Sequence, residues 1–222
     1  YNFINIFSIS HNPLNLIKLL NYLKKAKNPI VHAHDSKALS FAFLLSFFIK
    51  FKLVYSKKTS FKVKENLFNR LKYAKINAIS AVSRFSAKSL PSFFNQQKVY
   101  IIHDGVENTK PKYSKEEARK LLSVNDEMLI IGTVGFFTSE KNSPLILKLA
   151  DFLARLHPKV SIICIGSIKN ELRNTFNSKT NIILPGILEN ARDYYNAFDI
   201  YISTSKIEGL GSALLDAQVR YS

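Results

Sequence analysis

The chain has 222 residues, with 32 Lys and Arg against 16 Asp and Glu, for a formal net charge of +16; 46% of its residues are hydrophobic and 22% charged. Such a balance excludes a disordered basic tail, and seven Gly with seven Pro exclude collagen-like and low-complexity chains. One cysteine, Cys164, excludes a disulfide framework or a thiolate metal cluster and fits a reducing compartment, while the length allows one large domain or two small ones.

Short apolar runs alternate with amphipathic stretches along the chain. Residues 3–8 read as a strand, and 14–25 as a helix with Leu16, Leu19, Leu20 and Leu23 on one face. A strand at 30–34 follows, with Ser36 placed to cap the apolar helix after it. The apolar run 38–49 is too short to span the ~30 Å of bilayer hydrocarbon, which takes roughly 20 helical residues, so it reads as a buried helix, with an interfacial helix as the alternative. Then come a strand at 52–56, a helix at 64–75, a strand at 78–82, a helix at 83–90 stopped by Pro91, and a strand at 99–102. After Asp104-Gly105-Val106 the text turns polar, and 108–126 reads as a linker region carrying a short helix at 115–122. A second alternation then runs through strands at 128–133, 160–165, 181–184 and 199–203. Its helices fall at 144–156, 169–176 and 190–197, with one more opening near Ser212.

Strands alternating with helices of this length form parallel sheets covered on both faces. The expected fold is therefore α/β, with two Rossmann-like domains, 1–107 and 127–222, facing a cleft. Ligands of open parallel sheets bind beyond the carboxyl ends of strands, so the chemistry is expected on the loops that follow them.

The charge of +16 suits nucleic acid, an anionic membrane surface or phosphorylated substrates, and Lys-rich usage on solvated faces accounts for it equally well. The lysines are scattered, with Lys24-Lys25 and Lys57-Lys58 the only adjacent pairs. No zinc-finger spacing, RNP-type aromatic motif or long basic helix appears, so no nucleic-acid partner is expected.

The richest segment is 203–217. A strand ends, a loop carries Glu208, Gly209, Leu210 and Gly211, and a helix opens at Ser212 with Asp216 about one turn further on. Gly209 and Gly211 permit close backbone approach, and Ser212 is placed as an N-cap over a helix terminus whose free N–H groups attract anions. A carboxylate there suits sugar hydroxyls, which donate hydrogen bonds. A helix-capping loop with surface acids explains the same residues without any ligand.

This segment resembles the donor-sugar motif of the retaining GT-B glycosyltransferases, glycosyltransferase family 4 (group 1). In that family a strand leads into Pro-Ser-x-x-Glu-Gly-Phe-Gly, with a second acid eight residues after the Glu. Ser205 and Glu208 match, Leu210 stands for Phe and Asp216 for the second acid. The resemblance implies that Glu208 contacts donor-sugar hydroxyls and that Asp216, shorter than Glu by roughly 1.5 Å, contacts the ribose. Residues 131–142 resemble the family's Gly-Arg-Leu-x-x-x-Lys-Gly loop. There Gly135 is the glycine, Phe136 replaces Arg, Asn142 replaces the last Gly, and Lys141 is implied to bind the donor pyrophosphate.

Residues 99–107, 79–83, 181–186 and 194–200 resemble further family segments in family order. Residues 52–61 are similar to a bacterial envelope-polysaccharide subgroup in which the strand ends in His, where this chain has Ser56. On the acceptor side, His34, Lys57, Lys58 and Asp104 are the implied candidates, with the two lysines either binding a phosphorylated acceptor or lipid headgroup or simply solvated. His32 and His34 share one face of a strand and lack further metal ligands; a satisfied core histidine beside one cleft residue is the expected arrangement.

The resemblance implies an enzyme with Glu208 and Lys141 as catalytic residues, a nucleotide-diphosphate sugar as donor and a lipopolysaccharide or other glycolipid acceptor. It implies transfer with retention and no metal or other cofactor. A cytoplasmic location follows, peripheral on the inner face of the cytoplasmic membrane. Enzymes of this kind extend beyond both ends of the sequence, so the chain is expected to be a piece of a longer protein. The alternative is a catalytically inactive remnant that at most binds nucleotides or anions.

Overall fold

The computed structural model describes residues 13–108, 111–139 and 141–221. The strand expected at 3–8 lies outside them. The chain divides into two compact units, Tyr1–Asp104 and Gly105–Ser222.

In the first unit, α1 (Pro13–Lys25) is followed by β1 (Ile30–Ala33), α2 (Ser36–Leu45), β2 (Lys52–Lys57), α3 (Leu67–Ala74), β3 (Ala78–Ala81), α4 (Arg84–Lys88) and β4 (Val99–Ile101). The strands form a parallel sheet in the order β1-β2-β3-β4. Its core gathers Ala33, Leu53, Tyr55 and Ile79 from the strands with Leu39 and Ala42 from α2. Asp35, not Ser36, caps α2: its Oδ1 accepts from the Ala38 N–H at 2.7 Å, and its backbone stays extended. Both residues are N-cap formers, and the extended backbone decides between them.

The second unit runs α5 (Lys115–Leu121), β5 (Leu129–Val134), α6 (Ser143–Leu156), β6 (Val160–Ile165), α7 (Asn170–Asn177), β7 (Ile182–Gly186), β8 (Ile200–Tyr201) and α8 (Ser212–Tyr221). A 3₁₀ helix, Ala191–Ala197, lies where an α-helix was expected. The parallel sheet has the order β7-β6-β5-β8. Alternation along its strands builds a core on each face. Ile131, Ile162 and Cys164 point into one core with Ile146 of α6 and Phe176 of α7, whereas Ile130, Ile163 and Ile165 point into the other with Ala118, Phe198 and Ala217. Full burial of a side chain such as Phe176 contributes about 2–3 kcal/mol.

The segment read as a linker, 108–126, is part of this unit. A capping box between Ser114 and Glu117 opens α5, and Ala118 and Leu122 are buried in the second core.

Candidate functional site

Strands β5, β6 and β7 step one way across the second sheet, and the chain then returns to place β8 on the other side of β5. The strand order therefore reverses between β5 and β8. At such a switch point the following loops part and leave a crevice beyond the strand ends. A pocket of about 170 Å³ lies there. It is lined by the end of β5 and its loop (Thr133 to Phe137, then Lys141), by Tyr201 and Ser203 to Ser205 after β8, by Glu208, and by the first residues of α8.

Local backbone chemistry shapes each wall. Gly211 adopts φ 74° and its carbonyl accepts from the Leu214 and Leu215 N–H groups at 2.9 and 3.1 Å, so Gly211 is the N-cap of α8 and Ser212 its first helical residue. The cap expected at Ser212 thus shifts by one, because the turn needs a left-handed residue, which glycine supplies without strain. Asn142 also sits at positive φ, 56°, before α6; Asn is among the few side chains that tolerate this, which explains its place where the resembling family has Gly. At Gly135 a Cβ would meet nothing within 4 Å, so the missing side chain leaves open space at the pocket wall. Gly166, at φ +135°, lies so close to the Gly135 carbonyl that a Cβ would collide with it.

Lys141 and Glu208 meet in this pocket, Nζ to Oε1 at 2.5 Å, with both side chains partly exposed. Two threonines hold the lysine's backbone: the Lys141 N–H donates to Thr138 Oγ1 and Thr204 Oγ1 donates to the Lys141 carbonyl, each at 3.2 Å. Neither threonine stands out in the sequence: Thr138 lies three residues before Lys141 in the same loop, and Thr204 reaches it from 63 residues away. Tyr201, read only as part of a strand, lines the pocket as well; burial, together with the Glu208 and Asp216 carboxylates, pushes its phenol up to about 12. Tyr201 is therefore a neutral hydroxyl at physiological pH. The buried Ser143 hydroxyl, which has no partner, completes the α6 side.

Of the sequence candidates, Gly135, Lys141, Glu208, Gly211 and Ser212 line one pocket. Asp216 is partly buried on α8, near enough to Tyr201 and Tyr195 to act on both phenols, but outside the lining; Gly209 and Leu210 also fall outside it. A larger concavity of about 500 Å³ follows α6 past Lys148, Asp151, Phe152, Arg155 and Leu156. Those residues share one face of α6 toward its carboxyl end, which leads into the amino end of β6 and not to the carboxyl ends of the strands, so the smaller pocket is the candidate site.

In the first unit, His32 and His34 are both exposed at the end of β1 with ring centroids 4.1 Å apart, and His32 Nε2 lies 2.8 Å from Ser56 Oγ. The expected core histidine is thus a surface one. Partial burial, with His34 and Lys58 nearby, lowers the His32 pKa. Lys58 pairs with Asp104 at 3.1 Å, both about half exposed. Lys57 is neither solvated nor open to a phosphate. β2 continues through it, so period-two alternation sends it inward with Leu53 and Tyr55, and its ammonium donates to the Phe61 carbonyl at 2.8 Å and Thr59 Oγ1 at 3.3 Å. Burial lowers its pKa. Replacing Lys57 by Ala is expected to lower the urea stability of the first unit by about 2 kcal/mol, as lost charged hydrogen bonds do, while Lys58→Ala changes it by less than about 0.5 kcal/mol. Among the described residues, no group of three or more His, Cys, Asp or Glu is placed to hold a metal ion.

Residues 114–220 match the family model described as Glycosyl transferases group 1. The match covers most of the second unit and a little under half of the chain. The likeness extends beyond it: EpsF of Bacillus subtilis (strain 168), provisionally named a glycosyltransferase, is 25% identical over 93% of this chain and 60% of its own length. Among solved structures, Anabaena HepE in complex with UDP-glucose superimposes with a TM-score of 0.75 at 18% identity, covering 92% of this chain and 60% of that one. A glycosyltransferase from Rickettsia africae ESF-5 does so with 0.73 at 19% identity, covering 97% and 63%. The chain spans about 60% of the length of these relatives. The solved relatives share the two-sheet α/β fold of this chain, and the Lys141–Glu208 pocket lies within the residues that the family model matches.

Proposed function

We propose that this protein transfers a glycosyl group from a nucleotide-diphosphate sugar to a glycolipid acceptor of the cell envelope, with retention at the anomeric carbon. The observation that carries the donor half is the meeting of Lys141 with Glu208 in a switch-point pocket beside the start of α8. Departure of a nucleoside diphosphate leaves negative charge on phosphate oxygens, and a fixed ammonium with unsatisfied helix N–H groups lowers the energy of that charge. Glu208, an acceptor on both oxygens, suits the sugar's hydroxyl donors. Without donor the two side chains neutralise each other; with donor bound, Lys141 turns to the diphosphate and Glu208 to the sugar. Asp216 is the ribose candidate, at the reach its shorter side chain permits. The Anabaena relative in complex with UDP-glucose supports a nucleotide sugar as the co-substrate. The glycolipid acceptor, retention and a cytoplasmic setting at the membrane rest on the sequence resemblance.

A thermal-shift panel of UDP, GDP and ADP and their sugars tests this reading. The matching nucleotide, at about 100 times its Kd, adds about 2.7 kcal/mol and raises the melting temperature by roughly 5–10 °C. Turnover is followed on the chain and on a version extended at both ends to the length of the relatives. If no nucleotide stabilises the chain and neither form cleaves any of the sugars, the inactive-remnant reading replaces this one.

A further inference from the structure

Helix α6 buries one stripe in the second unit: Ser143, Ile146, Leu147, Ala150 and Leu153 recur at helical spacing and are all buried. Every member of the stripe but the first is apolar. Ser143 opens the helix, is wholly buried, and among the described residues its Oγ has no hydrogen-bond partner. A hydroxyl buried in that state is destabilising, whereas an alanine in its place would not be.

No local structural role accounts for it. A serine at the N-cap accepts a hydrogen bond from the first turn, but the N-cap of α6 is Asn142, and Ser143 stands one residue too late. The backbone around it is already satisfied: the Ser143 N–H donates to the Thr138 carbonyl at 3.1 Å, Pro144 has no N–H, and the Leu145 N–H donates to the Asn142 carbonyl at 2.9 Å. What Ser143 does border is the switch-point pocket, together with Lys141 and the first residues of α8. Rotation about a single bond is enough to turn its O–H into that space.

The surroundings define the ligand group that this hydroxyl meets. It stands at the positive end of a 14-residue helix and two residues from Lys141, so an anionic oxygen is favoured there over another donor such as a sugar hydroxyl. The first three residues of α6 leave no N–H free, which makes the Ser143 hydroxyl the donor that this helix start has to offer. The start of α8 differs. Its first N–H groups have no carbonyl one turn back, and Ser212 and Ala213 line the same pocket. Two helix starts therefore meet one pocket, one with N–H groups and the other with a hydroxyl, and Lys141 lies in the same lining.

We propose that Ser143 Oγ binds one phosphate of the donor diphosphate while the start of α8 holds the other, and that Ser143 thereby sets the preference of the pocket for a diphosphate over a monophosphate. This rests on the nucleotide-sugar reading of the preceding section and adds a specificity-determining residue to it. A hydroxyl without a partner gains a charged acceptor when the diphosphate arrives, and such hydrogen bonds are the stronger kind.

The variant Ser143→Ala separates this role from packing, because stability and binding should move in opposite directions. Thermal unfolding without nucleotide should shift upward by roughly 2–5 °C, since a stranded hydroxyl leaves an apolar stripe. Calorimetric titration with UDP, GDP and ADP, and with UMP, GMP and AMP, reads the binding. The diphosphate that binds the parent should weaken by about ten- to a hundredfold and its monophosphate by less than about threefold. Ser143→Cys, which keeps a side chain of the same form but a poor donor, should lose the diphosphate as Ser143→Ala does. Equal loss of diphosphate and monophosphate, or full diphosphate affinity in Ser143→Cys, overturns the proposal. So does a lower melting temperature of Ser143→Ala with unchanged affinity, which would mean that an ordered water satisfies the hydroxyl. A parent chain that binds none of these nucleotides overturns the preceding reading and this one with it. A parent that binds a diphosphate which Ser143→Ala binds equally well overturns this one alone.

Discussion

Replacing Lys141 by Ala is expected to lower turnover of the nucleotide sugar by about a hundred- to a thousandfold, the usual cost of removing a preorganised charge from a developing anion. The geometry makes two further outcomes specific. First, Lys141→Arg should recover only part of the activity: the longer, planar guanidinium cannot take the place of a compact ammonium whose backbone is pinned by Thr138 and Thr204. Second, Glu208→Gln should reduce turnover while leaving binding of the free nucleoside diphosphate intact or slightly tighter, because Lys141 loses the carboxylate that competes with phosphate. Calorimetric titration with the nucleoside diphosphate, alongside initial rates, separates the two residues. If Glu208→Gln loses the sugar-free nucleotide as completely as Lys141→Ala does, the division of labour between phosphate and sugar is wrong. Like transition-state groups generally, the pair is not expected to contribute additively.

Much of the framework behind these expectations was legible in the chain. Strands such as 160–165 were plain from an apolar run bounded by turns, and the structure places β6 on the same residues. The polarity of the site was legible too, since parallel strands direct ligands to their carboxyl ends. Errors arose where adjacent residues offered equal chemistry. Asp35 and Ser36 both suit an N-cap, as do Gly211 and Ser212, and only the backbone angle decides. The inward course of Lys57 was in principle readable, since Leu53, Tyr55 and Lys57 stand two apart. Ending the strand one residue early concealed it. What no local pattern carries is pairing across the fold. Thr204 on Lys141, the influence of Glu208 and Asp216 on Tyr201, and the exposure of Phe47 and Phe48 in the turn after α2 all require the tertiary structure.

An ion pair of that kind, buried at Arg119 and open to solvent at Asp199, supports the site from beneath and leads to the largest expected change in stability. Arg119 of α5 is almost wholly buried. Its Nη2 meets Asp199 Oδ2 at 2.7 Å, its Nε donates to the Ala197 carbonyl and its Nη1 to that of Asp126. Asp199 also accepts from the Ile130 N–H and from Lys115 Nζ, each at 2.7 Å, and thereby ties the start of β8 to β5. Those are the two strands whose ends frame the pocket. Asp199→Ala would leave the buried guanidinium without its counter-charge, at a cost to the second unit of about 2–3 kcal/mol, since water reaches the Asp199 side. Removing both charges in Arg119→Met/Asp199→Leu should cost less than Asp199→Ala alone, because no buried ion is stranded. Partial burial raises the Asp199 pKa, but hydrogen bonds from Lys115 and Ile130 and the charge of Arg119 outweigh it, and the net shift is downward. A carboxylate depressed in the folded state stabilises above its unfolded pKa, about 3.9, and loses that contribution as pH falls from there through the folded value. Urea unfolding of the second unit should therefore be flat in this term from pH 7 to about pH 5 and steepen below about pH 4, and Asp199→Asn should lack that acid limb. An Asp199→Ala variant within about 1 kcal/mol of the parent would mean that the Arg119 contact with the Ala197 carbonyl and the β5–β8 backbone pairing suffice to hold β8 in place.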